Sequence, residues 1–206
     1  IQNKALELSM FLSLPASIAL MIASEEIISA LFGYGSFSKE SVSNSAIALY
    51  YFSFGLPAFA LIKVFSTFFF ANHDTKTPFY ISLVSIILNI IISIYFFKEV
   101  GFVIIPIATT ISSWFNSLIL FIYLRDQNLF NFNEIFIKRF VKILFASILM
   151  GLFFSYVILV LENKLVYDYH LKSFYLILSV FLGFAFYLLV SFFIKAFNYK
   201  DVNLKY

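Results

Sequence analysis

The chain has 206 residues, of which 62% are hydrophobic and 12% charged; its formal net charge is +3 and it contains no cysteine. Soluble domains carry roughly 45–50% apolar and about 25% charged residues, so this composition belongs to an integral membrane protein. The small, dispersed charge argues against a nucleic-acid partner, and the missing thiols exclude disulfides and thiolate metal sites.

Six apolar segments are long enough to cross a hydrocarbon core of about 30 Å, which takes about 20 helical residues. The first, about Ala5 to Ala23, contains Pro15, whose lost backbone bond a neighbour or a kink must absorb. Ser24 is the expected N-cap of a short interfacial helix, Ile27–Phe32, with Glu25 and Glu26 in its first turn, where the helix dipole favours anions. Gly33-Tyr34-Gly35 is a turn and lacks the strand and third glycine of a nucleotide loop. Ser38 caps the second spanning helix, about Val42 to Ala71, which Gly55 and Pro57 bend.

The polar turn Asn72–Lys76 follows, then Thr77 as N-cap and Pro78 as first helical residue of a third helix reaching Phe97. A turn at Lys98–Gly101 leads to the fourth helix, Phe102 to Leu124, and a polar loop from Arg125 to Arg139 marks a subdomain break. The fifth helix is Phe140 to Leu161, the sixth Leu171 to Ile194, with a polar tail Lys195–Tyr206. No alternating ten-residue strands occur, so the expected fold is an all-α bundle. Ile1 leads directly into a helix without a signal peptide, and the chain is expected to be the C-terminal part of a longer protein.

Lysine and arginine asymmetry sets orientation. Lys4, Lys76, Arg125, Lys138, Arg139, Lys142, Lys195, Lys200 and Lys205 fall on one side, against Lys39, Lys98, Lys164 and Lys172 on the other; nine against four places both ends in the cytoplasm.

Three polar side chains stand deep in the apolar segments. At ~1.5 Å per residue, Lys63 is about 12 Å, Asn89 about 16 Å and Asn116 about 13 Å from the same face, one layer near the midplane. They read as the lining of a hydrated cavity. The competing reading makes the asparagines interhelical hydrogen-bond glue and lets Lys63 snorkel past Ser66 and Thr67. Glu7 pairs with Lys4 or Lys63 or faces headgroups, and Asp74 with Lys76 forms a gate contact or merely an exposed pair in a turn. His73 and His170 lie too far apart to suggest a metal centre; no cofactor motif, catalytic residue or hydrolytic constellation is apparent. The 30 phenylalanines read as codon bias of an AT-rich genome, not as a binding surface.

The segments Leu31-Phe32-Gly33-Tyr34-Gly35-Ser36-Phe37, Gly55-Leu56-Pro57-Ala58, Leu61-Ile62-Lys63-Val64 and Asp74-Thr75-Lys76-Thr77-Pro78 occur in this order. In them the chain resembles the MurJ (MviN) family of bacterial lipid II flippases, within the multidrug/oligosaccharidyl-lipid/polysaccharide exporter superfamily. The resemblance is good over residues 1–124 and rests on hydropathy alone in the last two helices. It implies a polytopic bundle whose six spans are the last six of fourteen: residues 1–124 form four helices of the C-terminal lobe and 125–206 two additional helices and a cytoplasmic tail. It further implies alternating access in the bacterial inner membrane, without enzymatic chemistry. The partners it implies are lipid II or a related polyprenyl-linked lipid, membrane lipids and the N-terminal half of the same protein. Pyrophosphate-binding cations would lie upstream of Ile1. A flippase for another polysaccharide-linked lipid, a cation-coupled drug antiporter and a structural membrane subunit remain as alternatives.

Overall fold

The computed structural model describes residues 2–196. Within them the chain forms α1 (Gln2–Ile22), α2 (Ser24–Phe32), α3 (Lys39–Ser53), α4 (Leu56–Ala71) and α5 (Lys76–Val100). A single 3-10 turn leads into α6 (Ile104–Asp126), followed by α7 (Glu134–Val160), α8 (Glu162–Leu165) and α9 (Lys172–Phe193). The described residues contain no strand. The expected tail, with Lys200 and Lys205, lies outside the described residues except for 195 and 196.

Helix α1 is the centre of the bundle, packing against α7 on one side and against α3 and α4 on the other; α5 packs on α6, and α9 on α7. Two apolar cores result. One joins α1, α7 and α9 around Phe11, Ile143, Met150, Phe154 and Tyr187. The other joins α1, α4 and α6 around Leu6, Phe65, Phe69, Leu120 and Phe130. Close approach at the α1–α7 crossing depends on Gly151, where a Cβ would lie 2.6 Å from Ile18 Cγ2. Ile18 is β-branched and stiff, so it cannot swing aside cheaply.

Four apolar stretches are long enough to cross a membrane, and the bent pair α3–α4 makes a fifth. One of the four, Lys76–Asp126, is 51 residues long. It cannot be one span, because it folds back at Gly101, which has φ +71°, into an antiparallel hairpin in which Asn89 meets Thr109 and Asn116 meets Ser82.

Each proline in mid-segment leaves a carbonyl four residues earlier without its helical donor, and a neighbouring helix supplies one. Pro15 frees the Phe11 carbonyl, to which the buried Tyr187 hydroxyl of α9 donates at 2.8 Å. Pro57 frees the Ser53 carbonyl, to which Ser17 of α1 donates at 2.6 Å. We expect Tyr187→Phe to cost about 1 kcal/mol of stability and to cost much less in a Pro15→Ala background, where residue 15 regains its N–H. Equal costs in the two backgrounds, measured by unfolding of the full-length protein, would show that the proline does not determine the bond.

Several boundaries differ from the sequence expectation for identifiable reasons. Ser24 is helical and the cap position is Ala23, without a side-chain bond; Ala23 and Ile27 continue the α1 ladder across the break, so no side-chain cap is needed. The expected helix 42–71 is two helices bent by 43°; Ser38 does cap the first, accepting from Ser41 N. Lys98 and Glu99 are helical, since only Gly101 reaches the positive φ that ends the helix. The expected loop 125–139 shrinks to 127–133. Asn133 accepts from Ile135 N and starts α7 at Glu134, and the cationic turn that follows is helical, with Lys138 3.9 Å from Glu134 and Arg139 on Glu7. Finally, α5 begins at Lys76, and Thr77 is not its cap. The Asp74 carboxylate takes that part, accepting from the N–H groups of Lys76 and Thr77 at 3.0 Å. Pro78 then falls in the first helical turn, where its missing N–H costs nothing.

Candidate functional site

A polar groove of about 330 Å³ runs along the α5–α6 hairpin, with Phe59 and Ile62 of α4 on its other wall. Its polar residues follow helical spacing: Ser82, Ser85 and Asn89 on α5, and Thr109, Ser112, Ser113 and Asn116 on α6. Residues three and four apart share a face, so each helix turns one stripe of small polar groups toward the groove and leaves its apolar remainder outside. That stripe was legible in the sequence as small polar residues at i, i+3 and i+7 on α5 and at i, i+3, i+4 and i+7 on α6, yet only its two asparagines stood out there.

Asn89 Nδ2 donates to Thr109 Oγ1 at 3.0 Å and to Ser112 Oγ at 3.4 Å. Asn116 Nδ2 donates to Ser82 Oγ at 3.4 Å, and its buried Oδ1 has no protein partner. Ser85, Thr109, Ser112 and Ser113 return their hydroxyl protons to carbonyls of their own helices. The asparagines therefore bridge the hairpin and line the groove at once.

The single-layer expectation needs correction. Because Asn89 is level with Thr109 and Asn116 with Ser82, the two asparagines stand seven residues apart along the hairpin, about 10 Å at 1.5 Å per residue. Depth counting failed because α6 runs a turn past the start of α5. Lys63 is exposed on α4 and is not in the groove lining, although Phe59 and Ile62 beside it are.

The α3–α4 break packs against the same helix, α6. Thr110 donates to the Tyr51 carbonyl at 2.8 Å and Trp114 Nε1 to the Phe54 carbonyl at 3.0 Å, so α6 satisfies the backbone that Gly55 and Pro57 interrupt. A Cβ at Gly55 would sit 3.1 Å from Thr110 Oγ1, which ties the glycine to this close approach.

Glu7 does not face headgroups. It is 5% exposed, and Arg139 of α7 holds both carboxylate oxygens at 2.9 and 3.0 Å. Asp74 is partly exposed in the turn before α5, and hydrogen bonds from the Thr77 side chain and backbone hold its carboxyl below the usual carboxylate range. Its bond to Lys76 is to the backbone N–H.

Sequence reasoning missed one further arrangement. Lys172, at the start of α9, is 1% exposed; its Nζ donates to the carbonyls of Gly33 and Tyr167 at 2.7 Å each. It also lies 4.3 Å from the Tyr34 ring centroid and 4.5 Å from that of Tyr167.

A family model described as the lipid II flippase MurJ matches residues 1–181. The chain belongs to the MurJ family. Over 98% of its length it is 32% identical to the probable lipid II flippase MurJ of Rickettsia prowazekii, strain Madrid E, and spans 40% of that protein. Over 69% of its length it is 37% identical to the probable lipid II flippase MurJ of Thermotoga maritima, and spans 28% of it. A solved structure titled lipid II flippase MurJ, inward closed conformation, superposes on 98% of this chain with a TM-score of 0.77 at 25% identity, the chain spanning 39% of that structure. The chain thus covers well under half the length of these MurJ relatives, and its all-helical bundle with apolar membrane-length helices is the fold they share.

Proposed function

We propose that this chain forms part of an alternating-access flippase that moves lipid II from the inner to the outer leaflet of the bacterial inner membrane, without enzymatic chemistry or a cofactor. The observation that carries the reading is the family match over residues 1–181. The polar stripe on the α5–α6 hairpin supports it: small polar groups ordered along one groove of a membrane bundle are costly unless buried against protein or facing water. In this reading the six helical legs α1, α3–α4, α5, α6, α7 and α9 are the last six spans of fourteen. Residues 1–124 belong to the second lobe and 125–206 to the added pair.

Asn89 and Asn116 line the groove, and Lys63, exposed beside Phe59 and Ile62, faces the cavity that the rest of the protein completes. Gly55 and Pro57 supply the hinge, and the turn of Asp74 and Lys76 lies at the cytoplasmic gate. The lysine and arginine asymmetry supports a cytoplasmic location for both ends. Partners are lipid II, membrane lipids and the remainder of the same protein.

The test is complementation of a strain depleted of its own flippase, using the full-length gene. Lys63→Met and Asn89→Leu are expected to lower lipid II translocation about tenfold with normal protein levels, the loss of one interaction with a charged substrate. Undiminished translocation in both variants would remove the groove and Lys63 from the transport path. Failure of the inserted wild-type protein to complement would remove the lipid II reading itself.

A further inference from the structure

The bend of 43° between α3 and α4 is held from outside, by side chains of α1 and α6. At the corner the Gly55 N–H turns to the Phe52 carbonyl at 2.9 Å, and Pro57 has no N–H to give. The Tyr51 and Ser53 carbonyls thereby lose the donors four residues on that a continuous helix would supply. Thr110 of α6 donates to Tyr51 at 2.8 Å, and Ser17 of α1 to Ser53 at 2.6 Å. Trp114 of α6 donates to the neighbouring Phe54 carbonyl at 3.0 Å.

Space, more than backbone freedom, is what requires a glycine at this corner. Gly55 has φ −80° and ψ −18°, close to helical values that any residue adopts. A Cβ there would stand 3.1 Å from Thr110 Oγ1 and 3.1 Å from Phe59 Cε2. Without it, α6 reaches the corner and the Phe59 ring folds back over it.

The polar groove begins one helical turn past that corner. The Phe59 N–H donates to the Gly55 carbonyl at 2.9 Å, and Phe59 with Ile62 forms the α4 wall of the groove. On α6, neighbouring residues divide the two tasks. Thr109 accepts from Asn89 and Ser113 lines the groove, while the next residue in each case, Thr110 and Trp114, holds the corner. These two pairs are spaced by about one turn of helix. A rotation or slide of α6 that breaks the Asn89–Thr109 bridge therefore also pulls on the Tyr51 and Phe54 carbonyls. A change of bend, in turn, moves Phe59 and Ile62 against α6.

We propose that Thr110 and Trp114 are positioning residues of the groove. They set the bend of the second span and with it the spacing between α4 and α6, so the groove widens or narrows only together with that bend. Their effect on transport rests on the flippase reading; their hold on the bend does not.

The test uses the full-length protein in nanodiscs, spin-labelled at Asn44→Cys and Thr67→Cys, two exposed positions on α3 and α4, with any cysteine in the rest of the protein replaced. Electron–electron resonance distances are expected to be single and narrow in this parent. In Thr110→Val/Trp114→Phe they become longer and broader, because the freed carbonyls no longer hold the bend. Thr110→Ser keeps the hydroxyl and the parent distance. Gly55→Ala removes no polar group, so it serves where the double variant fails to fold; its methyl displaces Thr110 and shifts the distance as well. Lipid II translocation falls about tenfold in the double variant, the loss of two neutral hydrogen bonds, and keeps the parent rate in Thr110→Ser. Unchanged distances in both the double variant and Gly55→Ala would overturn the proposal, since Pro57 would then hold the bend unaided. Changed distances with undiminished translocation would overturn the role in positioning the groove. Failure of the wild-type protein to translocate lipid II would remove the flippase reading alone, with the distances still deciding whether α6 sets the bend.

Discussion

Arg139→Met is expected to lower the unfolding free energy of the full-length protein by about 3 kcal/mol, because it removes the bidentate partner of a buried carboxylate. Glu7 is 5% exposed within α1, and the Arg139 guanidinium grips both of its oxygens from α7. Bidentate geometry is the strong form of such a bond. Without the guanidinium, Glu7 loses the bonds that hold both of its oxygens, and a buried carboxylate weakened in this way costs stability. The companion variant Glu7→Leu/Arg139→Met removes the charge together with its partner, so it should recover most of the loss. Denaturant titration of the four proteins of this cycle measures the coupling. A single variant within experimental error of wild type, or a double variant no better than Arg139→Met, would mean that the pair does not hold α7 to α1.

Lys172→Met is the second large effect, expected at about 2 kcal/mol from the loss of two charge-assisted hydrogen bonds, partly offset by no longer burying a charge. Methionine keeps most of the stem volume but gives the Gly33 and Tyr167 carbonyls no donor. The surroundings amplify the loss. Ser173 donates to the Ala30 carbonyl, Tyr34 and Ser173 share a hydrogen bond, and Tyr167 donates to the Phe37 carbonyl. Together with Lys172 these bonds latch the α2–α3 turn to the segment before α9. Arginine should not rescue the variant, since its broader head must fit a site that is 1% exposed and that Lys172 Nζ fills at 2.7 Å from two carbonyls. Amide exchange reports the latch directly: residues 33–38 and 166–171 should exchange faster in Lys172→Met. Unchanged protection in both segments would show that Lys172 is buried without holding them.

The local devices of this fold were largely legible. Ser38 announces the start of α3, and Gly55 with Pro57 announces the break that divides the second span. Other local signals were present but outweighed. The expected loop 125–139 followed the charges of Lys138 and Arg139, whereas the helix follows Asn133, whose side chain satisfies the Ile135 N–H. Asp74 displaced Thr77 as the cap of α5 because its carboxylate reaches two N–H groups. In the candidate groove, Asn89 and Asn116 do not form the expected layer, since their relative height depends on how two helices slide past each other.

The sequence by itself determined that this chain is helical and membrane-embedded, that it bends at Gly55 and Pro57, and to which family it belongs, because composition, helical periodicity and short motifs act over a few residues. The tertiary structure alone decided which partners meet. Glu7 finds Arg139 across 132 positions, Lys172 finds Gly33 across 139, and Tyr187 finds the carbonyl freed by Pro15 across 176. Each of these pairings follows from the crossing and register of packed helices. An apolar helix accepts many neighbours about equally well in a sequence reading, and only close packing leaves room for one.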